Sequence, residues 1–244
     1  MTLANVHSIE TFGSVDGPGL RYILFLKGCH LRCAFCHNAD TWDTHSDDQR
    51  SVEQILNHAE RYRSYWGKDG GITVSGGEPL LQIDFLLELF KEAKKRNINT
   101  CIDTAGEPFT LEESWFHKFE ELMQYTDILL VDIKHIDEKK HIKLTGKANK
   151  NILQMFQYLS QINKPIWIRQ VLVPGWTDDI NDLKKTREFI ETLQNVKKIE
   201  ILPYHNMGAY KWEKLGMIYP LENVKGPSAE SIETAEKVLN GKIR

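Results

Sequence analysis

The chain has few cysteines, little net charge and no long apolar run, and each of these absences excludes a class of protein. Four of its 244 residues are cysteine, fewer than a disulfide-stabilised secreted domain uses. The net charge of −3 provides no global basic field to attract nucleic acid or an anionic membrane. No apolar segment approaches the roughly 18 residues of a membrane helix, and no secretory signal is recognisable. We therefore expect a cytoplasmic protein that binds neither nucleic acid nor membrane.

Internal repeats, low-complexity tracts and linkers are also absent, and short apolar runs alternate with amphipathic segments instead. The apolar runs predict six strands, at residues 22–26, 72–74, 100–102, 128–131, 166–173 and 198–202. Apolar spacings of three and four predict helices at 52–66, 85–95, 113–124, 152–161, 183–193 and 228–239. This alternation predicts an α/β fold with a parallel sheet and right-handed crossovers, either open or rolled into a barrel.

Unusual polar segments follow almost every predicted strand. In chain order they read GCHLRCAFCHN, SGGEP, DTAG, DIKH, PGWTDD and PYH. The carboxyl ends of parallel strands gather on one face of a sheet, and active sites form there. The pattern therefore favours a barrel, and it predicts a site at the C-terminal ends of the strands.

Three of the four cysteines lie within eight residues, as Cys29-x-x-x-Cys33-x-x-Cys36. Thiolates suit zinc and iron–sulfur clusters. A structural zinc site would add His37 as its fourth ligand, but His37 directly follows Cys36, which makes joint tetrahedral ligation awkward. A cluster of four irons with three protein ligands leaves one iron open for a small molecule, which explains the odd count. Cys101 lies within a predicted strand, and we expect it to be a core residue.

Two glycines and a glutamate follow the second predicted strand, in Ser75-Gly76-Gly77-Glu78-Pro79. Paired glycines let the backbone approach a ligand closely, and Glu78 could accept hydrogen bonds from an ammonium group. An ordinary strand-to-helix turn is the alternative interpretation.

Charged and polar residues mark further strand ends, where they could bind a cation, orient a ligand or simply be solvated: Asp103, Thr104, Asp132, Lys134 and His205. Arg169 interrupts the apolar run IWIRQVLV, where an unpaired charge is costly to bury, so we expect it to meet an anion. Asp16 begins a tight turn before the first predicted strand and could face a substrate.

Taken together, these motifs resemble those of the radical S-adenosylmethionine (radical SAM) enzymes, and among them the glycyl-radical enzyme activases. The three-cysteine motif and Gly76-Gly77-Glu78 carry the superfamily resemblance. The narrower resemblance rests on segments that occur in order along nearly the whole chain: VDGPGLR, CHNADTWDTH, CIDTAG, LVDIKH, WIRQVLVPGWTDD and LPYHNMGAYKW. No further cysteine lies between Cys36 and Gly76, so the ferredoxin-like insert of many such activases is absent.

The resemblance implies a single domain over residues 1–244, with a partial (β/α)6 TIM-like barrel at about 16–206 and a C-terminal extension at about 207–244. It implies that Cys29, Cys33 and Cys36 bind a [4Fe-4S] cluster. It further implies that S-adenosyl-L-methionine (SAM) chelates the open iron.

The resemblance also implies roles for the residues around that cluster. The expected SAM-binding residues are Phe35, Cys36, His37, Gly76, Gly77, Glu78, Asp132, Ile133, Lys134, Arg169 and His205. Asp103, Thr104 and Asp132 are expected to hold a monovalent cation. Asp16 is expected to approach the glycine loop of a protein substrate.

The implied activity is reductive cleavage of SAM to methionine and 5′-deoxyadenosine, coupled to formation of a glycyl radical on pyruvate formate-lyase. The implied electron donor is a flavodoxin- or ferredoxin-type protein, and no catalytic residue is expected beyond the cluster and SAM. One alternative is a radical SAM enzyme that acts on another glycyl-radical enzyme or a small molecule. Another is a non-enzymatic zinc or redox protein.

Overall fold

A computed structural model describes residues 2–241, which divide into two compact units. Unit 1 comprises residues 2–30 and 41–130, and unit 2 comprises residues 31–40 and 131–241. Met1 and residues 242–244, the ends of the predicted domain, lie outside the described residues. The single domain at 1–244 with its core and extension therefore stays a prediction.

The strands of unit 1 run in the order β3-β1-β2-β4-β5-β6. Their bounds are β1 Leu3–Gly13, β2 Arg21–Leu26, β3 Gln49–Ser51, β4 Gly71–Gly76, β5 Asn99–Thr104 and β6 Ile128–Asp132. β1 is antiparallel to β2 and β3, whereas β2, β4 and β5 are mutually parallel. β2 and β4 are almost completely buried, as strands covered on both faces must be.

Three α-helices connect these strands: α1 Val52–Glu60, α2 Ile83–Lys95 and α3 Glu113–Tyr125. Short 3₁₀ segments occur at Arg63–Tyr65 and Pro79–Gln82. α1 begins with a capping box, in which Ser51 and Gln54 each bond the other's backbone N–H. α2 buries a continuous apolar stripe of Ile83, Phe85, Leu86, Leu89, Phe90 and Ala93.

The last two residues of β6 belong to unit 2. The further strands of unit 2 are β7 Ile166–Leu172 and β8 Val196–Pro203, which are parallel to each other. Its helices are α4 Glu138–Thr145, α5 Lys150–Gln161, α6 Ile180–Glu191, α7 Ala209–Lys214 and α8 Ala229–Leu239. Among residues 2–241, β3 and β8 each have a single neighbour in the strand order, so the sheet does not close.

The six predicted strands and the α/β fold class with a partial, open barrel are confirmed. The sequence analysis missed β1, β3, α4 and α7, and it predicted one helix at 52–66 where α1 ends at Glu60. In the part of the chain that the structure describes, no helix is long and apolar enough to cross a membrane.

Candidate active site

In unit 1, the main chain brings the SGGEP segment against the segment that carries Cys29. The N–H of Gly77 donates to the carbonyl of Leu26 at 3.0 Å, and the N–H of Glu78 donates to the carbonyl of Gly28 at 2.7 Å. A Cβ on Gly77 would lie 2.2 Å from the Gly28 oxygen and 3.1 Å from the Cβ of Cys29. Only glycine therefore allows this approach, which joins two of the predicted site segments.

The carboxylate of Glu78 is fully buried and bonded on both oxygens. One oxygen accepts from the Thr104 hydroxyl at 2.5 Å and the Leu80 N–H at 3.1 Å. The other accepts from the N–H groups of Ala105 and Gly106, at 2.9 and 3.2 Å. Burial raises the pKa of Glu78 to about 7, against the opposing effect of these four donors. The carboxylate thus joins the SGGEP and DTAG segments, and the contact of Glu78 with a ligand stays a prediction.

The three residues predicted to hold a monovalent cation have protein partners of their own. Asp103 accepts from the Ser75 hydroxyl at 2.7 Å, and the Thr104 oxygen accepts from the N–H of Gly106 at 2.8 Å. In unit 2, Asp132 forms an ion pair with Lys134 at 2.7 Å. Within residues 2–241, no group of three or more His, Cys, Asp or Glu side chains is arranged to hold a single ion. The cation site stays a prediction.

Arg21 holds the turn that contains Asp16, a role that sequence reasoning missed. This fully buried side chain donates through Nε to the Thr73 hydroxyl at 2.9 Å, and Thr73 in turn donates to the carbonyl of Asp16 at 2.7 Å. Its other nitrogens donate to carbonyls of Ile72 and Pro18 and to the amide oxygen of Asn99. Desolvation lowers the pKa of Arg21. The sequence feature that could have revealed this role is an arginine at the start of a buried strand, because a buried charge requires many hydrogen-bond acceptors.

In unit 2, the end of α4 holds the segment around Cys33. The N–H groups of Arg32 and Ala34 donate to the carbonyls of Thr145 and Leu144, at 2.7 and 2.8 Å. These bonds satisfy carbonyls that the last turn of a helix leaves without partners. Burial raises the pKa of the Cys33 thiol to about 12, which disfavours its thiolate form. All four cysteines, each within the described residues, are free of disulfides.

The segment after Cys36 packs against α7 and the residues before it. The indole N–H of Trp212 donates to the carbonyl of Cys36 at 2.9 Å. The rings of His37 and His205 lie 4.2 Å apart, and Nε2 of His37 is 2.8 Å from the carbonyl of His205. A Cβ on Gly208 would lie 2.5 Å from the Cα of His37. Burial lowers the pKa of His37.

Trp212 and Gly208 are thus positioning residues that the sequence analysis did not single out individually. Both lie in LPYHNMGAYKW, a segment cited only for its resemblance. Two residues just after Cys36 are also bonded to α7. Lys211 of that helix donates to the side-chain oxygens of Asn38, at 2.9 Å, and Asp40, at 3.0 Å.

Predicted ligand-binding residues just after β6 and within β7 also come together in unit 2. The N–H of Ile133 donates to the carbonyl of Arg169 at 2.9 Å. The ammonium of Lys134 lies 5.3 Å from the centre of the Phe35 ring, a cation–π arrangement. Arg169 is almost buried and pairs with Glu200 at 3.3 Å, so the anion it meets in the protein is a glutamate.

A cleft of about 430 Å³ adjoins His205 and is lined by residues 204–206 and 222–226. Its wall is fixed by a buried hydrogen bond of 2.9 Å between the hydroxyls of Tyr204 and Tyr219. The stretch after α7, which belongs to the predicted C-terminal extension, therefore forms part of the surroundings of His205.

The chain is similar to known proteins in both sequence and fold. The Radical SAM superfamily profile matches residues 23–190. The pyruvate formate-lyase-activating enzyme of Listeria monocytogenes is 49% identical over 238 residues, covering 97% of this chain and 96% of that protein. The protein of the same name from Staphylococcus epidermidis is 50% identical over 247 residues, covering 100% and 98%. A solved domain of pyruvate-formate lyase-activating enzyme from Bacteroides vulgatus has a TM-score of 0.57 and 26% identity, covering 70% of this chain and 94% of that one.

Proposed function

Because this chain belongs to the radical SAM superfamily, we propose that it activates pyruvate formate-lyase by generating a glycyl radical on that protein. The observation that carries the proposal is identity of about half the residues, over nearly the full length, with curated activating enzymes of that name. The cofactors are a [4Fe-4S] cluster and SAM.

The donor set fits such a cluster. Cys29, Cys33 and Cys36 form no disulfide, and soft thiolate ligands are those that iron–sulfur clusters use. The buried Cys33 is a poor thiolate by itself, and a positively charged iron would supply the missing stabilisation. In a cluster each cysteine binds a different iron, so its ligands need not converge on one point as those of a single zinc ion must.

When bound, the cluster supplies the electron that cleaves SAM into methionine and 5′-deoxyadenosine, and the hydrogen atom gained by that product comes from a glycine of pyruvate formate-lyase. The residues of this chain bind and orient the participants. We propose that the backbone of Gly76, Gly77 and Glu78 meets the methionine end of SAM.

On the unit 2 side, we propose that SAM contacts the remaining predicted residues, which are Phe35, Cys36, His37, Asp132, Ile133, Lys134, Arg169 and His205. Asp103, Thr104 and Asp132 are proposed to hold a monovalent cation, and Asp16 to meet the glycine loop of the protein substrate. The electron is proposed to come from a flavodoxin- or ferredoxin-type protein.

The experiment is electron paramagnetic resonance of pyruvate formate-lyase after incubation with the reconstituted, reduced protein and SAM without oxygen. We expect a glycyl radical signal with the native chain and none with Cys33→Ala. Cys101→Ala is the matched control, because Cys101 lies inside β5 and should keep the signal.

Three results would contradict the proposal. If Cys33→Ala still gave the radical, Cys33 would not be a ligand. If the native chain cleaved SAM but left pyruvate formate-lyase without a radical, the substrate would be another glycyl-radical enzyme or a small molecule. Stoichiometric zinc without iron or sulfide would favour a non-enzymatic metal protein.

A further inference from the structure

Unit 2 carries a basic surface, formed by the exposed side chains of Arg32, Lys139, Lys143, Lys147 and Lys150. The segment 138–150 contains five lysines and a single glutamate, in a chain whose net charge is −3. Lys140 is not part of this surface, because it pairs with Asp182. Such a local excess of one sign attracts a partner of the opposite sign.

The fold gathers these cations although they are distant in sequence. Lys139 and Lys143 are four residues apart in α4 and therefore lie on one face of the helix. α4 ends at Gly146, which adopts a positive φ of 80°. A Cβ on Gly146 would lie 3.9 Å from the Cβ of Arg32, so Arg32 adjoins the helix end just before Lys147.

The basic surface is joined directly to the segment that holds Cys33. Arg32 and Ala34, the two neighbours of Cys33, donate their N–H groups to the last carbonyls of α4, at 2.7 and 2.8 Å. A protein that docks on α4 therefore contacts a helix that is joined by two backbone hydrogen bonds to the residues on either side of Cys33.

We propose that the basic surface is the docking site of an acidic electron-carrier protein. This inference rests on the proposed function, which requires one electron for each SAM cleaved. The carrier is oxidised by one electron and the cluster held by the cysteines is reduced by one, with no covalent bond made or broken in this chain. The commitment to an acidic carrier follows from the sign of the surface charge.

The test compares two triple charge reversals. One combines Lys139→Glu, Lys143→Glu and Lys147→Glu. The matched control combines Lys68→Glu, Lys184→Glu and Lys197→Glu, three exposed lysines outside the basic surface that change the net charge equally. Both are purified with the cluster reconstituted and tested with a flavodoxin as the acidic carrier.

The first readout is the affinity for flavodoxin, measured by calorimetry at several salt concentrations. We expect the basic-surface variant to bind flavodoxin about tenfold more weakly than the control does, because complementary interfacial charges raise the rate at which two proteins associate, and the variant has lost them. Added salt should narrow this difference by screening the charges. Equal affinities in the two variants would overturn the proposal.

The second readout is the rate of SAM cleavage with two reductants, flavodoxin and photoreduced 5-deazariboflavin. The basic-surface variant should be slow only with flavodoxin, and as fast as the control with the small reductant. An equal loss with both would assign α4 a purely structural role and overturn docking. If the native chain failed to cleave SAM even with 5-deazariboflavin, the proposed function would fail, and the binding measurement would still decide the docking question.

Discussion

The two units position their predicted site residues in different ways. In unit 1, main-chain atoms of Gly77 and Gly28 make the close contact beside Cys29, and three of the four donors to the buried Glu78 carboxylate are main-chain N–H groups. In unit 2, side chains also hold the segment from Cys36 onward, with the indole of Trp212 bonded to the carbonyl of Cys36 and the rings of His37 and His205 4.2 Å apart.

This difference has a consequence for substitutions. Backbone in contact with backbone cannot move aside without shifting the strands that carry it, so an added atom there displaces a whole segment. A side chain that donates one hydrogen bond can be replaced at the cost of that bond. We therefore expect a larger effect from a substitution at Gly77 in unit 1 than from one at Trp212 or Lys211 in unit 2.

Gly77→Ala should have the largest effect. Its Cβ would lie 2.2 Å from the Gly28 oxygen, well inside van der Waals contact, and must push away the segment leading to Cys29. We expect reconstituted iron content to fall strongly and SAM cleavage to drop about a hundredfold or more, since misplacing a site by 1 Å can cost that much. Iron analysis and product chromatography measure both.

Gly67→Ala is the control for this substitution. Gly67 has a positive φ of 58°, so alanine is strained there, but no atom lies within 4 Å of the added Cβ. Strain alone costs about 1–2 kcal/mol. If Gly67→Ala impaired iron binding as much as Gly77→Ala, general destabilisation would explain both, and the contrast between the units would be wrong.

Glu78→Gln should change how stability depends on pH. Burial raises the pKa of Glu78 from 4.5 to about 7 in the folded chain, so the folded state binds more protons than the unfolded state between these values. Stability of the native chain should therefore rise as the pH falls from 8 to 6, and Glu78→Gln should lack this gain of about 1 kcal/mol. Urea denaturation at each pH measures the free energy of unfolding.

The same substitution at the exposed Glu112 provides the comparison. Hydrogen bonds from Ser114 lower the pKa of Glu112, so this carboxylate contributes no gain on acidification. A native-like pH dependence in Glu78→Gln would show that Glu78 does not titrate in this range.

Much of this arrangement could be read from the sequence. The strands β2 and β4 to β8 were all predicted, because β-branched and aromatic residues form short runs bounded by glycine or polar segments. β1 was missed because LANVHSIETFG has no continuous apolar run, although its alternation of polar and apolar residues is the pattern of a half-buried strand, and β3 was missed because QRS has no apolar residue. α4 and α7 were missed since both are short, and α7 has no side-chain N-cap.

The sequence predicted which segments form the site, but not which residues within them are in contact. The cysteine spacing and the polar strand ends indicated which segments matter. That Glu78 turns inward to bind Thr104 was not visible, because its partners lie 26 to 28 residues away and are chosen by the parallel pairing of β4 with β5. Likewise, nothing local shows that Trp212 bonds a carbonyl 176 residues earlier.

Trp212→Phe tests unit 2 with a moderate effect. Phenylalanine keeps most of the ring contact with Tyr219 but cannot donate to the carbonyl of Cys36. Losing one hydrogen bond costs about 1 kcal/mol, so SAM cleavage should fall about fivefold while iron content stays near native. Trp66→Phe is the control, because the buried indole nitrogen of Trp66 has no hydrogen-bond partner to lose. If Trp212→Phe lost more SAM-cleavage activity than Gly77→Ala, the proposed difference between the units would be reversed.

Lys211→Met should have the smallest effect. Its ammonium donates to Asn38 and Asp40, just after the segment of Cys36, and methionine keeps a similar length without the charge. A partly exposed ion pair contributes about 0.2–1 kcal/mol, so a chelator should remove iron about twofold faster from the variant. Lys214→Met, three residues along α7, removes a lysine that lies over the Tyr210 ring and should leave the rate unchanged. If Lys211→Met released iron as fast as Gly77→Ala, the Cys36 segment would depend on this one side chain, and unit 2 would be as intolerant of change as unit 1.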